Sequence, residues 1–245
     1  MVPFVLRFFS FLLWGNSPNS GYFGLPEYQS EATVDNLPEF SGEPYIVVEN
    51  NMPDFSEEEL QTEAYEEYSE LDELGRCGTA KANIGEELMP TEEREGISQI
   101  KPSGWKNKAY DDVDGGYLYN RCHLIGFQLT AENANEENLI TGTRYMNTEG
   151  MLPFENLVAD YIQETENHVL YEVTPVFEDD NLVASGVLME AKSVEDEGEG
   201  SAFMSMCIMY NPVLKLIMLP EKAGRVQKSR HHRMRIKRSL EVHIF

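Results

Sequence analysis

The 245-residue chain carries 43 acidic and 19 basic side chains, a net charge of −24, and its length suits one packed domain with tails. So acidic a chain does not draw in nucleic acid by bulk electrostatics, because phosphate binding rests on Lys and Arg neutralisation; any phosphate chemistry leans on a few local cations or a metal. The longest apolar run is too short to cross a bilayer, which excludes a polytopic membrane protein.

The N-terminus, MVPFVLRFFSFLLWGNSPNS (residues 1–20), joins an apolar stretch to small residues. It reads either as an export signal or as a buried start. Residues 21–74 are rich in Glu, Ser, Pro and Asn and read as an acidic, linker-like segment. Within it PYIVVENN (44–51) suggests a short strand, and 56–74 has helical propensity. From Gly75 the texture changes to short apolar segments punctuated by Gly and Asn. YLYNRCHLIGF (117–127) predicts a strand running into a turn around His123, and ENANEENLITGTRYMN (132–147) a mostly irregular loop. PFENLVADYIQET begins at Pro153, suited to a first helical turn, and Leu157, Val158, Tyr161 and Ile162 recur at helical spacing. Two alternating runs follow, near 168–177 and 182–191, joined by Asp179-Asp180-Asn181; they predict a hairpin. Strand, loop, helix and hairpin in this order define an α+β domain with an antiparallel sheet.

Residues 201–245 reverse the charge, with nine basic side chains against two acidic, and read as a basic tail. Shifting the reading frame back by one nucleotide, with codons these residues allow, turns the stretch from Ala202 into CFYVYVYNVQPGIEIDYATGE. That hypothetical peptide is an alternating strand, a Pro-Gly turn and a second strand. The expectation is therefore a frameshifted C-terminus and a sheet that lacks its closing strand.

The chemistry concentrates in NRCHLIGFQLTAENANEENLITGTRYMN (120–147), which holds one His, two Arg and five Asn. A lone His beside Leu124 and Ile125 is most often structural, and single asparagines in loops most often cap turns. Arg121, however, lies two residues before His123; in an extended chain the two project to one face about 6–7 Å apart. A guanidinium beside an imidazole suits a site that holds phosphate while a neutral His takes a proton from water. Asn147 offers a neutral oxygen, a suitable protein ligand for Mg²⁺, which keeps several waters and favours phosphate oxygens. Asn138 would orient a partner by hydrogen bonds, and Glu155, on the following helix, would hold a water of the metal. The three cysteines, Cys77, Cys122 and Cys207, make no disulfide framework; buried thiols are expected, with a Cys77–Cys122 bridge as the alternative. A zinc site of Cys77, Cys122, His123 and Cys207 is disfavoured, since adjacent Cys-His lacks the usual ligand spacing.

The segment YLYNRCHLIGFQLTAENANEENLITGTRYMNTEGMLPFENLVADY resembles the active-site region of the DNA/RNA non-specific endonucleases, the ββα-metal (His-Me finger) nucleases, over residues 75–200. The resemblance implies a ββα-metal core and a Mg²⁺-dependent hydrolase acting on DNA and RNA, secreted or at the cell surface. It assigns His123 as general base, Asn147 as metal ligand, Glu155 as the residue fixing a metal-held water, and Arg121 and Asn138 as supporting residues. Asn120 and Cys122 stand where the family signature D-R-G-H has Asp and Gly, and Pro153 falls between Asn147 and Glu155. The alternative function is a catalytically defective remnant that binds nucleic acid without cutting it.

Overall fold

The structure, a computed structural model, describes residues 32–33, 42–106 and 116–208. The apolar N-terminus (1–20) and the tail beyond residue 208 lie outside the described residues. Among the described residues eight strands form two antiparallel sheets. β1 (Tyr45–Val47), β2 (Tyr65–Tyr68), β3 (Ala80–Ile84), β6 (Val169–Val176), β7 (Gly186–Ser193) and β8 (Ala202–Ile208) make a six-stranded sheet in the order β1-β8-β7-β6-β3-β2. β4 (Tyr119–His123) and β5 (Leu139–Thr143) pair separately as a ribbon. A short helix α1 (Phe127–Thr130) follows β4, and the main helix α2 (Leu152–Thr165) follows β5.

The predicted helix and hairpin form close to their expected bounds. Pro153 does not interrupt α2: it occupies the first turn, where a missing N–H costs nothing. A π-helical turn, Met146–Met151, carries the chain from β5 into α2, and the Leu152 N–H bonds the Asn147 carbonyl across it. The inner face of α2 presents Phe154, Val158 and Ile162 to the sheet, all fully buried. The Phe154 ring sits 4.8 Å from both Tyr45 and Phe203, so β1 and β8 are tied to the helix by one side chain. Burying such a ring contributes roughly 2–3 kcal/mol.

Four expectations are corrected. Residues 56–74 form no helix; their Glu-rich run contains β2, an edge strand paired with β3, because tertiary pairing overrides local propensity. The mostly irregular loop contains β5, whose five buried residues pair with β4. Residues 21–74 are not merely a linker, since β1 and β2 take places in the central sheet. Nor does the sheet lack a closing strand: β8 lies between β1 and β7, in register with both. Its Phe203, Ser205 and Cys207 alternate inward and are buried, a period-two pattern that AFMSMCI (202–208) hides because nearly every position is apolar. Among the described residues no helix is long and apolar enough to cross a membrane.

Candidate active site

The β4–β5 ribbon sets the site. Cys122 turns inward near the end of β4, where a β-carbon on Gly142 would come 2.4 Å from its sulfur; the thiol fits because Gly142, diagonal to it on β5, has no side chain. With Cys122 directed inward, alternation sends Arg121 and His123 to the other face. There they line a cavity of about 260 Å³ together with Asn147, Glu155 and Arg94.

His123 closes β4 and is nearly buried, 6% exposed. Its Nε2 lies 2.8 Å from the Asn133 carbonyl oxygen. A carbonyl only accepts, so Nε2 carries the proton and Nδ1 keeps its lone pair. Nδ1 in turn lies 3.2 Å from Nη2 of Arg94, which donates to it. Burial, together with the Arg94 charge, brings the imidazole down to about 4, against the pull of the Asn133 carbonyl. The ring is therefore a neutral acceptor at neutral pH.

Asn138 is fully buried and lies away from the cavity lining. Its Oδ1 accepts from the Ile125 N–H at 2.9 Å and its Nδ2 donates to the Ile125 carbonyl at 3.0 Å. Its own carbonyl accepts from the Leu124 N–H. One amide thus satisfies both polar groups of Ile125 and holds the chain as it leaves His123. Asn147, half-buried in the π-helical turn, and Glu155, in the first turn of α2, reach the cavity from its other side. Among the described residues the Glu155 carboxylate takes no hydrogen bond. Burial pushes it up to about 7, a shift that the Arg94 charge opposes.

Arg121 lines the cavity, but most of its guanidinium is engaged elsewhere. Its Nε donates to the Ile100 carbonyl at 2.5 Å and its Nη2 to the Ser98 carbonyl at 2.8 Å, while the guanidinium lies 4.0 Å from the Trp105 ring centroid. Two of its three nitrogens are occupied in holding the loop that carries Arg94. Arg94 itself was not singled out from the sequence. The signal was a lone cation in the acidic run TEEREG (91–96), where a solvated face needs none.

The cysteines are free thiols, all buried. Cys77 donates to the Leu139 carbonyl, burial pushes it up to about 12, and Cys207 lies against Met189. Buried thiols are as expected; the alternative Cys77–Cys122 bridge is absent, and the disfavoured four-residue zinc set is not assembled. Among the described residues no three His, Cys, Asp or Glu side chains group around a metal position.

A two-stranded ribbon whose first strand ends in a buried histidine, followed by a helix that brings a carboxylate to the same cavity, defines the ββα nuclease class. The family profile for DNA/RNA non-specific endonucleases matches residues 56–195, and the chain belongs to that family. Among solved structures it is similar to NucA from Streptococcus agalactiae without metal, at 24% identity and a TM-score of 0.62 over 73% of this chain and 86% of that one. The magnesium-bound form of the same protein gives 22% and 0.59, over 70% and 85%. The zinc-bound Sda1 nuclease gives 24% and 0.56, over 69% and 90%. These likenesses establish the fold. No curated protein sequence matches the chain.

Proposed function

We propose that this chain is a Mg²⁺-dependent endonuclease that hydrolyses phosphodiester bonds of DNA and RNA with little regard to sequence. Water is the nucleophile and Nδ1 of His123 its base. The observation that carries the reading is the hydrogen bond from Nε2 to the Asn133 carbonyl. It leaves the Nδ1 lone pair facing a cavity shared with a cation and a buried carboxylate. An imidazole held neutral down to about pH 4 keeps its lone pair unprotonated at any ordinary working pH, at a cost in intrinsic basicity.

Arg94 supplies the positive charge that the chain as a whole lacks. Its guanidinium meets a phosphate oxygen in the cavity and so gives up its bond to Nδ1, freeing the base as substrate arrives. Contacts to the phosphate backbone carry no sequence information.

The donor set suits a hard divalent ion. Glu155 is a buried carboxylate without a hydrogen bond, Asn147 a neutral oxygen donor, and no cluster of three ionisable ligands is present among the described residues. Such a site leaves most ligand positions to water and phosphate, as Mg²⁺ prefers. Asn147 would hold the ion and Glu155 would order its water. When bound, Mg²⁺ supplies charge for the phosphate and the leaving oxygen. Asn138 acts by holding Ile125, and Arg121 by holding the Arg94 loop. The apolar N-terminal run supports export or surface attachment.

Supercoiled plasmid and single-stranded RNA, each incubated with and without EDTA, test the reading. Cleavage of both is expected, lost on chelation and lost in His123→Ala. Cutting by His123→Ala would remove the base assignment. The non-cutting alternative rested on a missing strand, and β8 removes that ground; a chain that retards plasmid in a gel and never nicks it would restore that alternative.

A further inference from the structure

Asn133 does not line the cavity but bonds to His123, which does, and to the residue next to Arg94, which also does. Its carbonyl accepts the proton of His123 Nε2 at 2.8 Å. Its side-chain Nδ2 donates to the Glu95 carbonyl at 3.1 Å, and Glu95 is the residue next to Arg94, whose guanidinium reaches Nδ1 of the same imidazole. The contacts therefore close a ring: imidazole, Asn133, Glu95, Arg94, imidazole. The amide cannot be turned round, because that would set two oxygens against each other across the Glu95 contact.

The loop that bears Arg94 is exposed from residue 91 to 96 and has no regular structure. An arginine on such a loop has many rotamers to lose, and it stays over a chosen atom only where the backbone beneath it is fixed. The Asn133 bond is the tether adjacent to Arg94; the Arg121 bonds to Ser98 and Ile100 hold the loop further along. Stability alone does not account for Asn133, since its Oδ1 is buried without a hydrogen-bond partner, an arrangement that costs free energy.

We propose that Asn133 is a positioning residue that couples the general base to Arg94. Its main-chain carbonyl fixes the tautomer of His123, and its side-chain amide fixes the loop that brings the guanidinium into the cavity beside the imidazole. This rests on the reading of His123 as the base. The main-chain bond survives substitution of the side chain, so the two functions separate by mutation.

The test is a double-mutant cycle on Mg²⁺-loaded enzyme with plasmid substrate, comparing Asn133→Ala, Arg94→Ala and the double variant. A small misplacement of a catalytic group costs up to about 100-fold in rate, so Asn133→Ala is expected to lower kcat by about 10- to 100-fold with KM changed less than about twofold. In the Arg94→Ala background the same substitution should cost nothing, because the group it positions is gone. Thermal unfolding of Asn133→Ala and of the near-isosteric Asn133→Leu should show little loss of stability, since the bond each removes lies on an exposed loop and each also removes the unpaired oxygen. A full additional loss in the double variant overturns the proposal, as does an unchanged kcat in Asn133→Leu or a kcat loss matched by a fall in unfolding temperature. His123→Ala run alongside keeps the two readings apart: if it still cuts, the base assignment has failed, whereas an additive cycle with an inactive His123→Ala defeats only the role of Asn133.

Discussion

Gly126 and Glu155 meet so closely that a β-carbon on the glycine would lie 2.6 Å from Oε2 of the carboxylate. Gly126 has φ −62° and ψ 144°, which any residue adopts, so the position demands glycine for space and not for backbone freedom. Gly126→Ala should therefore fold normally and push the flexible Glu155 side chain off its place. Plasmid cleavage should fall about 10- to 100-fold with an unfolding temperature within a few degrees of the parent. An alanine variant of full activity would show that Glu155 does not act from this position.

The raised carboxyl of Glu155 sets a stability-activity conflict. Its ordinary value is 4.5 and burial brings it to about 7, so the folded protein holds a proton there that the unfolded chain releases. Stability from this group is greatest below pH 4.5 and declines as pH rises through 7, by about 3 kcal/mol in total. In EDTA, Glu155→Gln should match the parent in unfolding temperature at pH 5 and exceed it at pH 8, while losing cleavage. A variant less stable at pH 8 than at pH 5, relative to the parent, would contradict the sign.

Much of this site was legible because its chemistry is local in the sequence. Arg121, His123, Asn138, Asn147 and Glu155 fall within 35 consecutive residues, and α2 announced itself by its apolar spacing. What sequence did not reveal depends on long-range pairing. The strand at 139–143 is buried on both faces, so it shows no alternation, and the acidic β2 exists because β3 offers it an edge. Arg94 shows in the sequence only as a lone cation in an acidic run, and its place at the site depends on the fold, which alone brings residue 94 to residue 123. Cys122, in place of the family's glycine, is explained by Gly142, which yields the space.

His123 should titrate far below an ordinary histidine. Its neighbours leave it neutral down to about pH 4, whereas the unfolded chain takes up its proton near 6.5. Stability from this group is therefore present above 6.5 and lost as pH falls through 4. An NMR titration of the ring protons in EDTA should find the midpoint near 4; a midpoint near 6.5 would mean that the imidazole is solvated and the cavity geometry wrong.

His168 has the opposite sense. Its Nδ1 lies 2.6 Å from Glu195 Oε1 and its Nε2 3.4 Å from Glu87 Oε1. Burial works against the charged ring, but the bonds to Glu195 and Glu87 outweigh it and hold the pKa above the ordinary value. The clamp joins the turn after β3 to the turn after β7. Its contribution is complete below about pH 6.5 and disappears as pH rises through the folded-state value. His168→Ala should lower the unfolding temperature at pH 5.5 and leave it unchanged at pH 9, with cleavage unaffected; an equal loss at both pH values would refute the ionic origin.

Ser205 bears on the reading frame. It lies on β8 opposite Val47 and Met189, fully buried, and its hydroxyl has no hydrogen-bond partner. The shifted frame places Val at this position and at Cys207, and keeps Phe at 203, so the inward row becomes wholly apolar while the alternation is preserved. An orphaned buried hydroxyl costs about 1–3 kcal/mol, and a valine there removes that cost and suits a strand. We therefore propose that residues from Ala202 onward are read out of frame from a sequence whose strand was apolar inside. Ser205→Val should raise the unfolding temperature without loss of cleavage, and the coding DNA across codons 198–215 should admit the alternative peptide. A destabilised Ser205→Val, or codons that cannot encode the alternating strand, would leave the present frame as the one the fold was built on.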